Sequence, residues 1–409
     1  MAGAAIVAGL AGLVIMIVTA SVLDPVSNAE FMVFWSLLFW VVGALAGIQV
    51  ETVRSVRQAA LVAADGGGGA RGVRTRGVRV VPWGLGCGLA VAAAVAGVGW
   101  FVDRPAFAGS AGVSAAALIV GAGLFGGQAA FAGAAGGCGR WRWAGVMLAG
   151  EALVRLAGFA IVLALIDGER FVPFKVATAA GSLILLVGLW PGSGARLALR
   201  ARGDAAPAGY LRRTGPAVLA NAASSSLING FPALMSLTMD AGTVRGAAGL
   251  MFAVTMVRAP FLVLINAFAP MLVARLVGAG RRAGRLVAVG AVGLAAVAGI
   301  GALVVAIVGP WLLGYLRPAY QIGGPVLAAL TAGAACLSAV TLSGSWALAR
   351  GQHGAYLAGW LAALAVAAGV LAGPFSATVA VIVSLVAGPL VGAAVHIALI
   401  TRHHRRAHG

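Results

Sequence analysis

Glu151 and Arg155 stand four residues apart in the apolar segment GEALVRLAGFAIVLALI. That spacing places both side chains on one helical face, with the acid on the N-terminal side, the better order for an ion pair. A second arginine, Arg258, lies in LMFAVTMVRAPFLVLINAF and has no acid in its own segment. Pro260, two residues on, removes a backbone hydrogen bond, which tends to kink a helix and frees carbonyls beside the arginine. Each arginine falls near the middle of its apolar run. An arginine at the centre of a membrane costs about 2.5–3.5 kcal/mol on insertion scales, so it faces a water-filled cavity or a partner. Guanidinium groups suit phosphate oxygens, because their planar fork donates two bonds at once. One such arginine in each half of the chain would make a central cationic site. Two blander roles stand beside this one. Glu151 and Arg155 could neutralise each other inside a bundle, and Arg258 could satisfy the freed carbonyls or a neighbouring helix end.

The elements that must position these residues are membrane spans. The 409 residues are 61% hydrophobic and only 9% charged, against about 25% charged in an ordinary soluble domain. Runs with few or no charges suggest twelve spans, six at roughly 2–23, 31–51, 80–102, 110–134, 144–166 and 171–190, and six at 215–239, 246–274, 286–311, 323–349, 354–373 and 376–400. Phe31 to Val50 is the clearest. Twenty uncharged residues run between an acidic, turn-prone lead-in (Asp24, Pro25, Asn28, Glu30) and a charged end (Glu51, Arg54, Arg57). As a helix they reach about 30 Å, one hydrocarbon thickness. Residues 351–401 carry no Asp, Glu, Lys or Arg and must turn, most readily at Gly373–Pro374–Phe375–Ser376. The expected class is an all-α polytopic membrane protein of about twelve helices in two six-helix halves, 1–201 and 202–409, joined by an Arg-, Gly- and Pro-rich linker. Such 6+6 plans are common in transporters built from two repeats.

Orientation follows from the basic residues. Of 28 Lys and Arg, 21 fall in connections on one side or in the C-terminal tail, 5 on the other, and Arg155 and Arg258 inside spans. The positive-inside rule then puts both termini in the cytoplasm of a multi-pass cell-membrane protein. The same rule accounts for the net charge of +18, so no nucleic-acid partner is implied. Lys175, the single lysine, follows no phosphate-cradling glycine loop, so the chain carries no P-loop ATPase. GAGLFG at 121–126 has the dinucleotide-binding spacing but neither the preceding strand nor the later acid. Gly43/Gly47, Gly84/Gly88 and Gly123/Gly127 read instead as close helix–helix contacts. Cys87, Cys138 and Cys336 are scattered and odd in number, and His396 and the tail histidines are isolated, so neither a disulfide framework nor a metal site is suggested. No catalytic constellation or cofactor motif is present, and no enzyme is expected. Asn221, Ser224, Ser225, Ser226, Asn229 and Asn266 could line the cavity or serve as interhelical glue. Glu51, Arg54 and Arg57 could form a cytoplasmic gate for an anionic headgroup, or act only as topology determinants.

EFMVFWSLLFWVVGALAGIQVETVRSV resembles the second span of bacterial polysaccharide-exporting flippases, an aromatic-rich helix leading through small residues to Gln49, Glu51 and Arg54. GRWRWAGVMLAGEALVRLAGFAIVL looks like their fifth span and VTMVRAPFLVLINAFAPMLVARL like their eighth. Twelve spans in two halves fit the wider superfamily that includes multidrug-and-toxin exporters. The resemblance implies translocation of a lipid-linked oligosaccharide, carried on a polyprenyl diphosphate, for cell-surface polysaccharide synthesis. It also implies membrane lipids, a polysaccharide polymerase or glycosyltransferases as candidate partners. Glu51, Arg54, Arg155 and Arg258 carry over as cavity or gate positions. A drug/cation antiporter of the same fold is the rival within transport. It wants a membrane-embedded acid, and Glu151 has Arg155 beside it. A non-transporting membrane scaffold of envelope biosynthesis is the rival from another class.

Overall fold

A computed structural model describes residues 2–65, 77–102, 105–189, 193–261 and 283–406. Among them the regular structure is helical, and the one pairing of extended backbone is an isolated bridge between Arg79 and Arg202. The helices are α1 (Ala2–Val22), α2 (Pro25–Asp65), α3 (Val80–Val102), α4 (Ala111–Gly137), α5 (Trp141–Leu165), α6 (Phe171–Ala180), α7 (Leu185–Leu189), α8 (Ser193–Leu199), α9 (Pro207–Ile228), α10 (Phe231–Thr238), α11 (Ala241–Gly246), α12 (Ala248–Phe261), α13 (Ala283–Leu316), α14 (Gly324–Ala349), α15 (His353–Leu371) and α16 (Ala377–Arg406). Among the described residues ten segments are long and apolar enough to cross a membrane, nine of them single helices and one made of α6, a 3₁₀ turn and α7. The polytopic all-helical class expected from composition stands.

Three expectations about individual elements change. Residues 25–30, read as a turn, are helical: the Asp24 carboxylate accepts from the backbone N–H groups of Val26 and Ser27 and caps the first turn of α2. The same helix continues to Asp65, so Arg54 and Arg57 lie on a helix and not in a loop. At 41 residues it is about 60 Å long, twice a hydrocarbon core. The span expected over 215–239 is two helices, because Gly230 and Pro232 end α9 and open α10 with proline in the first turn, where its missing N–H is harmless.

The chain divides into two compact units, Met1–Ile15 with Phe34–Ser225, and Met16–Val33 with Ser226–Gly409. In the first unit α3 and α4 pack through glycine. A Cβ at Gly88 would lie 2.8 Å from the Gly123 carbonyl oxygen, and one at Gly126 only 2.8 Å from the Gly88 Cα. The backbones touch because no side chain separates them. Span six is α6, a 3₁₀ turn over Gly181–Ile184, and α7. In the second unit Glu30 pairs with Arg245 at 2.7 Å, and the buried Asn28 amide donates to the Tyr320 hydroxyl at 2.7 Å. Asp240 caps α11 by accepting from Thr243, matching Asp24 before α2. Much of α13, including Val292, Ile300, Leu303 and Ile307, is exposed apolar surface, with Trp311 stacked on Tyr315 near its end.

Candidate functional site

The apolar face of α5 carries Glu151 and Arg155 inward, where both are buried. Arg155 Nη2 donates to Glu151 Oε1 at 2.6 Å, and Gln128 Nε2 on α4 donates to Glu151 Oε2 at 2.8 Å. Arg155 Nε donates to the Thr178 carbonyl on α6 at 3.0 Å. Its guanidinium lies over the Phe39 ring at 4.7 Å and the Trp35 ring at 5.7 Å, both on α2. The approach depends on Gly181, where a Cβ would stand 2.8 Å from Arg155 Nη2 and 3.0 Å from the Glu151 carbonyl oxygen. The acid–base spacing read from the sequence is therefore a real pair, and α2, α4 and α6 close around it.

Arg258 belongs to the second unit and has a different environment. It is buried on α12, and its Nη2 donates to the carbonyls of Leu227 and of Ile228, the latter at 3.1 Å. These are last-turn carbonyls of α9, which have no partner within their own helix. The helix break at Asn229 and Gly230 is what exposes them. The guanidinium also lies 5.7 Å from the centre of the Phe231 ring, just after the break. Arg258 Nε is buried without a hydrogen-bond partner, and no carboxylate pairs with Arg258 among the described residues. Arg258 thus has spare donor capacity, whereas Arg155 is engaged on both edges.

The polar residues expected to line a cavity are placed as follows. Asn221 donates to the Ala217 carbonyl at 2.9 Å within α9. Ser224 donates to the Asn221 carbonyl, and Ser225 approaches the Phe39 carbonyl at 3.5 Å. Asn229 sits in the break itself. Asn266 lies outside the described residues.

The C-terminal part of α2 is held by several residues the sequence did not single out. Arg54 meets Glu51 with two hydrogen bonds, 2.8 Å and 2.6 Å, and reaches Asp204 at 3.2 Å. Asp204 also accepts from Ser55 Oγ at 2.6 Å and Arg213 at 2.9 Å. Close by, Thr52 and the buried Tyr210 share a hydrogen bond of 2.6 Å. The linker is stitched to residues 77–79 through Val78, whose N–H donates to the Ala205 carbonyl while its carbonyl accepts from Gly203. Arg57 is exposed one turn beyond this clasp. The available signal was that Asp204 is the single acid in a linker holding five arginines. Burial pushes the Asp204 carboxyl up, but Ser55 and Arg54 outweigh that and hold it below the usual carboxylate range. Its contribution is therefore complete above about pH 4 and is lost only as pH falls through the lowered folded value. Because Arg54 and Arg213 are half exposed, Asp204→Ala is expected to cost only about 1 kcal/mol. It should nonetheless speed tryptic cleavage at Arg202, Arg212 and Arg213 severalfold, read by gel.

Lys175 counts with the connections when the basic residues are assigned to sides, although it falls within the expected span 171–190. It is a fully buried residue of α6, donating to the carbonyls of Ala106 and Ala108 at 3.1 and 2.7 Å and lying 4.0 Å over the Phe171 ring.

No family model matches the chain. It is 33% identical over 402 residues to "Uncharacterized protein Rv3630" of Mycobacterium tuberculosis, covering 98% of this chain and 90% of that one. With "Uncharacterized protein Rv1510" of the same organism the identity is 32% over 387 residues, covering 93% and 86%. Among solved structures, the inward-facing conformation of a multidrug resistance MATE family transporter of the MOP superfamily superposes with a TM-score of 0.71 at 17% identity, covering 100% of this chain and 95% of that one. The lipid II flippase MurJ in its inward closed conformation gives a TM-score of 0.65 at 9% identity, covering 97% and 86%. At these identities the likeness is one of fold. The chain is a multi-pass membrane protein with the fold of MOP-superfamily transporters, and it belongs to the family that includes the Mycobacterium tuberculosis proteins Rv3630 and Rv1510.

Proposed function

We propose that this protein is a flippase that translocates a lipid-linked oligosaccharide, carried on a polyprenyl diphosphate, for cell-surface polysaccharide synthesis. The observation that carries the reading is Arg258, a buried guanidinium with a spare donor and no carboxylate partner among the described residues. A buried arginine without a counter-ion is costly unless an anion visits it, and a diphosphate offers fork-compatible oxygens. The six-helix halves 1–201 and 202–409 would alternate access across the cytoplasmic membrane, with both termini inside. No ATP-hydrolysing motif is present in the sequence, so the driving force is a substrate, ion or voltage gradient. Each charge moved is worth about 2.3 kcal/mol per 100 mV. A polysaccharide polymerase or glycosyltransferases would supply or consume the substrate.

A drug/cation antiporter is the second reading, supported by the MATE fold and opposed by the engagement of Glu151 with Arg155. Proteoliposomes holding the purified protein and a fluorescent diphosphate-linked oligosaccharide separate the two. Protein-dependent exposure of the glycolipid to an impermeant quencher, without ethidium flux, is the expected result. Ethidium flux alone would select the antiporter, and neither flux would select the scaffold. Orientation is checked separately with cysteines placed singly in a cysteine-free background. A cysteine at Arg212 should react with impermeant maleimide only in inverted vesicles, and one at Gly242 only in whole cells.

A further inference from the structure

We propose that Gln128, Glu151 and Arg155 form an anion site whose occupancy is linked to uptake of one proton by Glu151. The inference rests on the reading of the substrate as a lipid diphosphate and adds how its charge is balanced. Glu151 already holds the place on Arg155 that an incoming phosphate oxygen would take, at 2.6 Å from Nη2. The buried pair is formally neutral. Adding an anion leaves the cluster negatively charged in a low-dielectric setting, and adding the anion with one proton cancels part of that charge. The proton comes from the buffered solvent, whose conjugate base is left behind, and adds to the Glu151 carboxylate. The hydrogen bond from Arg155 Nη2 breaks and reforms to the anion, and the new O–H on Glu151 is the one covalent bond that forms.

Two features fit such an exchange. The Gln128 amide donates to Glu151 Oε2 at 2.8 Å, while its own Oε1 is buried without a partner. Amide N and O are nearly isosteric. A flip about the side chain presents Oε1 to accept the proton of a neutral Glu151 and turns the N–H donors away. Gln128 can therefore serve both protonation states. Arg155 meanwhile keeps the Thr178 carbonyl and the faces of Phe39 and Trp35 when the carboxylate lets go. Trp35 and Phe39 are themselves only half-buried, while Glu151 and Arg155 are buried. The surrounding elements add no competing titratable group. α4 presents Gln128, α2 carries no ionisable residue from Phe31 to Val50, and on α6 Lys175 is turned to the Ala106 and Ala108 carbonyls.

The test is calorimetry on the full chain in nanodiscs, titrated with a short-chain dialkyl diphosphate diester, whose charge does not change near neutral pH. Buffers of different ionisation enthalpy count the protons. Wild-type protein is expected to take up about one proton per diester, with affinity strengthening about tenfold for each pH unit lowered in the linked range. Glu151→Gln, close to isosteric with the protonated acid, should bind with no proton uptake and no pH dependence. Binding to wild type without proton uptake, or equal uptake by Glu151→Gln, overturns the inference and leaves the substrate reading standing. No binding of the diester to wild type overturns both. The wild-type proton count stands even if the variant fails to fold.

Discussion

Arg258→Ala is expected to abolish export of surface polysaccharide while leaving the protein at its normal level in the membrane. The two halves of this result come from different terms. Deleting the guanidinium strips donors from the Leu227 and Ile228 carbonyls at the end of α9, at about 1–3 kcal/mol for each group left unsatisfied. It also removes the cost of holding an arginine inside the membrane, about 2.5–3.5 kcal/mol. The terms are of similar size and opposite sign, so stability changes little. Function has no such compensation, because no other cation of the described second unit shares that position on α12. Arg258→Lys sharpens the test. An ammonium can still bond a helix-end carbonyl, but as a point donor it cannot grip carbonyls and a diphosphate together, and partial activity is expected. Export is measured by complementation and level by immunoblot. Full export by Arg258→Ala would discard the anion-binding role.

The largest structural effect is expected at Gly126. Its Cβ position is occupied by the Gly84 carbonyl and stands 2.8 Å from the Gly88 Cα and 3.0 Å from its nitrogen, all backbone atoms that cannot swing aside. Gly126→Val must therefore push α3 from α4 along the seam, at the upper end of the 1–3 kcal/mol typical of overpacking, or about 3 kcal/mol. Melting in detergent should fall by several degrees and membrane level with it. Gly97→Ala is the control. It lies on α3 with nothing within 4 Å of a Cβ, and there alanine's better helix propensity should stabilise by about 0.5–1 kcal/mol. Equal behaviour of the two variants would show that the seam is not close-packed.

How much of the site was legible in advance varies with the range of the interaction. Glu151 and Arg155 were recognisable as a pair because an ion pair at i,i+4 is a local property of any helix. Gln128, 23 residues earlier, and the Phe39 and Trp35 faces were not, because nothing in their own segments distinguishes them from other apolar-span residues. Asp204 was visible as a lone acid among arginines, yet its hold on Ser55 and Arg54 spans about 150 residues. For Arg258 the sequence left open whether it serves carbonyls or an anion. The fold supplies the carbonyls, from a helix broken by Gly230 and Pro232, and also leaves Nε unpartnered.

By itself the sequence determined the membrane class, the rough limits of the apolar runs, and some of the glycine positions at which helix backbones approach, Gly47, Gly84 and Gly88. These depend on composition and on short repeats, which act within one segment and need no partner to be read. Only the tertiary structure decided which helix each glycine meets, that α2 runs on to Asp65, and that α9 ends before α10. It also decided that one buried arginine is neutralised while the other is not. Those outcomes depend on which distant groups fill each donor's reach. In an apolar interior an unfilled donor costs several times what a filled one contributes, so the chain's long-range packing assigns the chemistry.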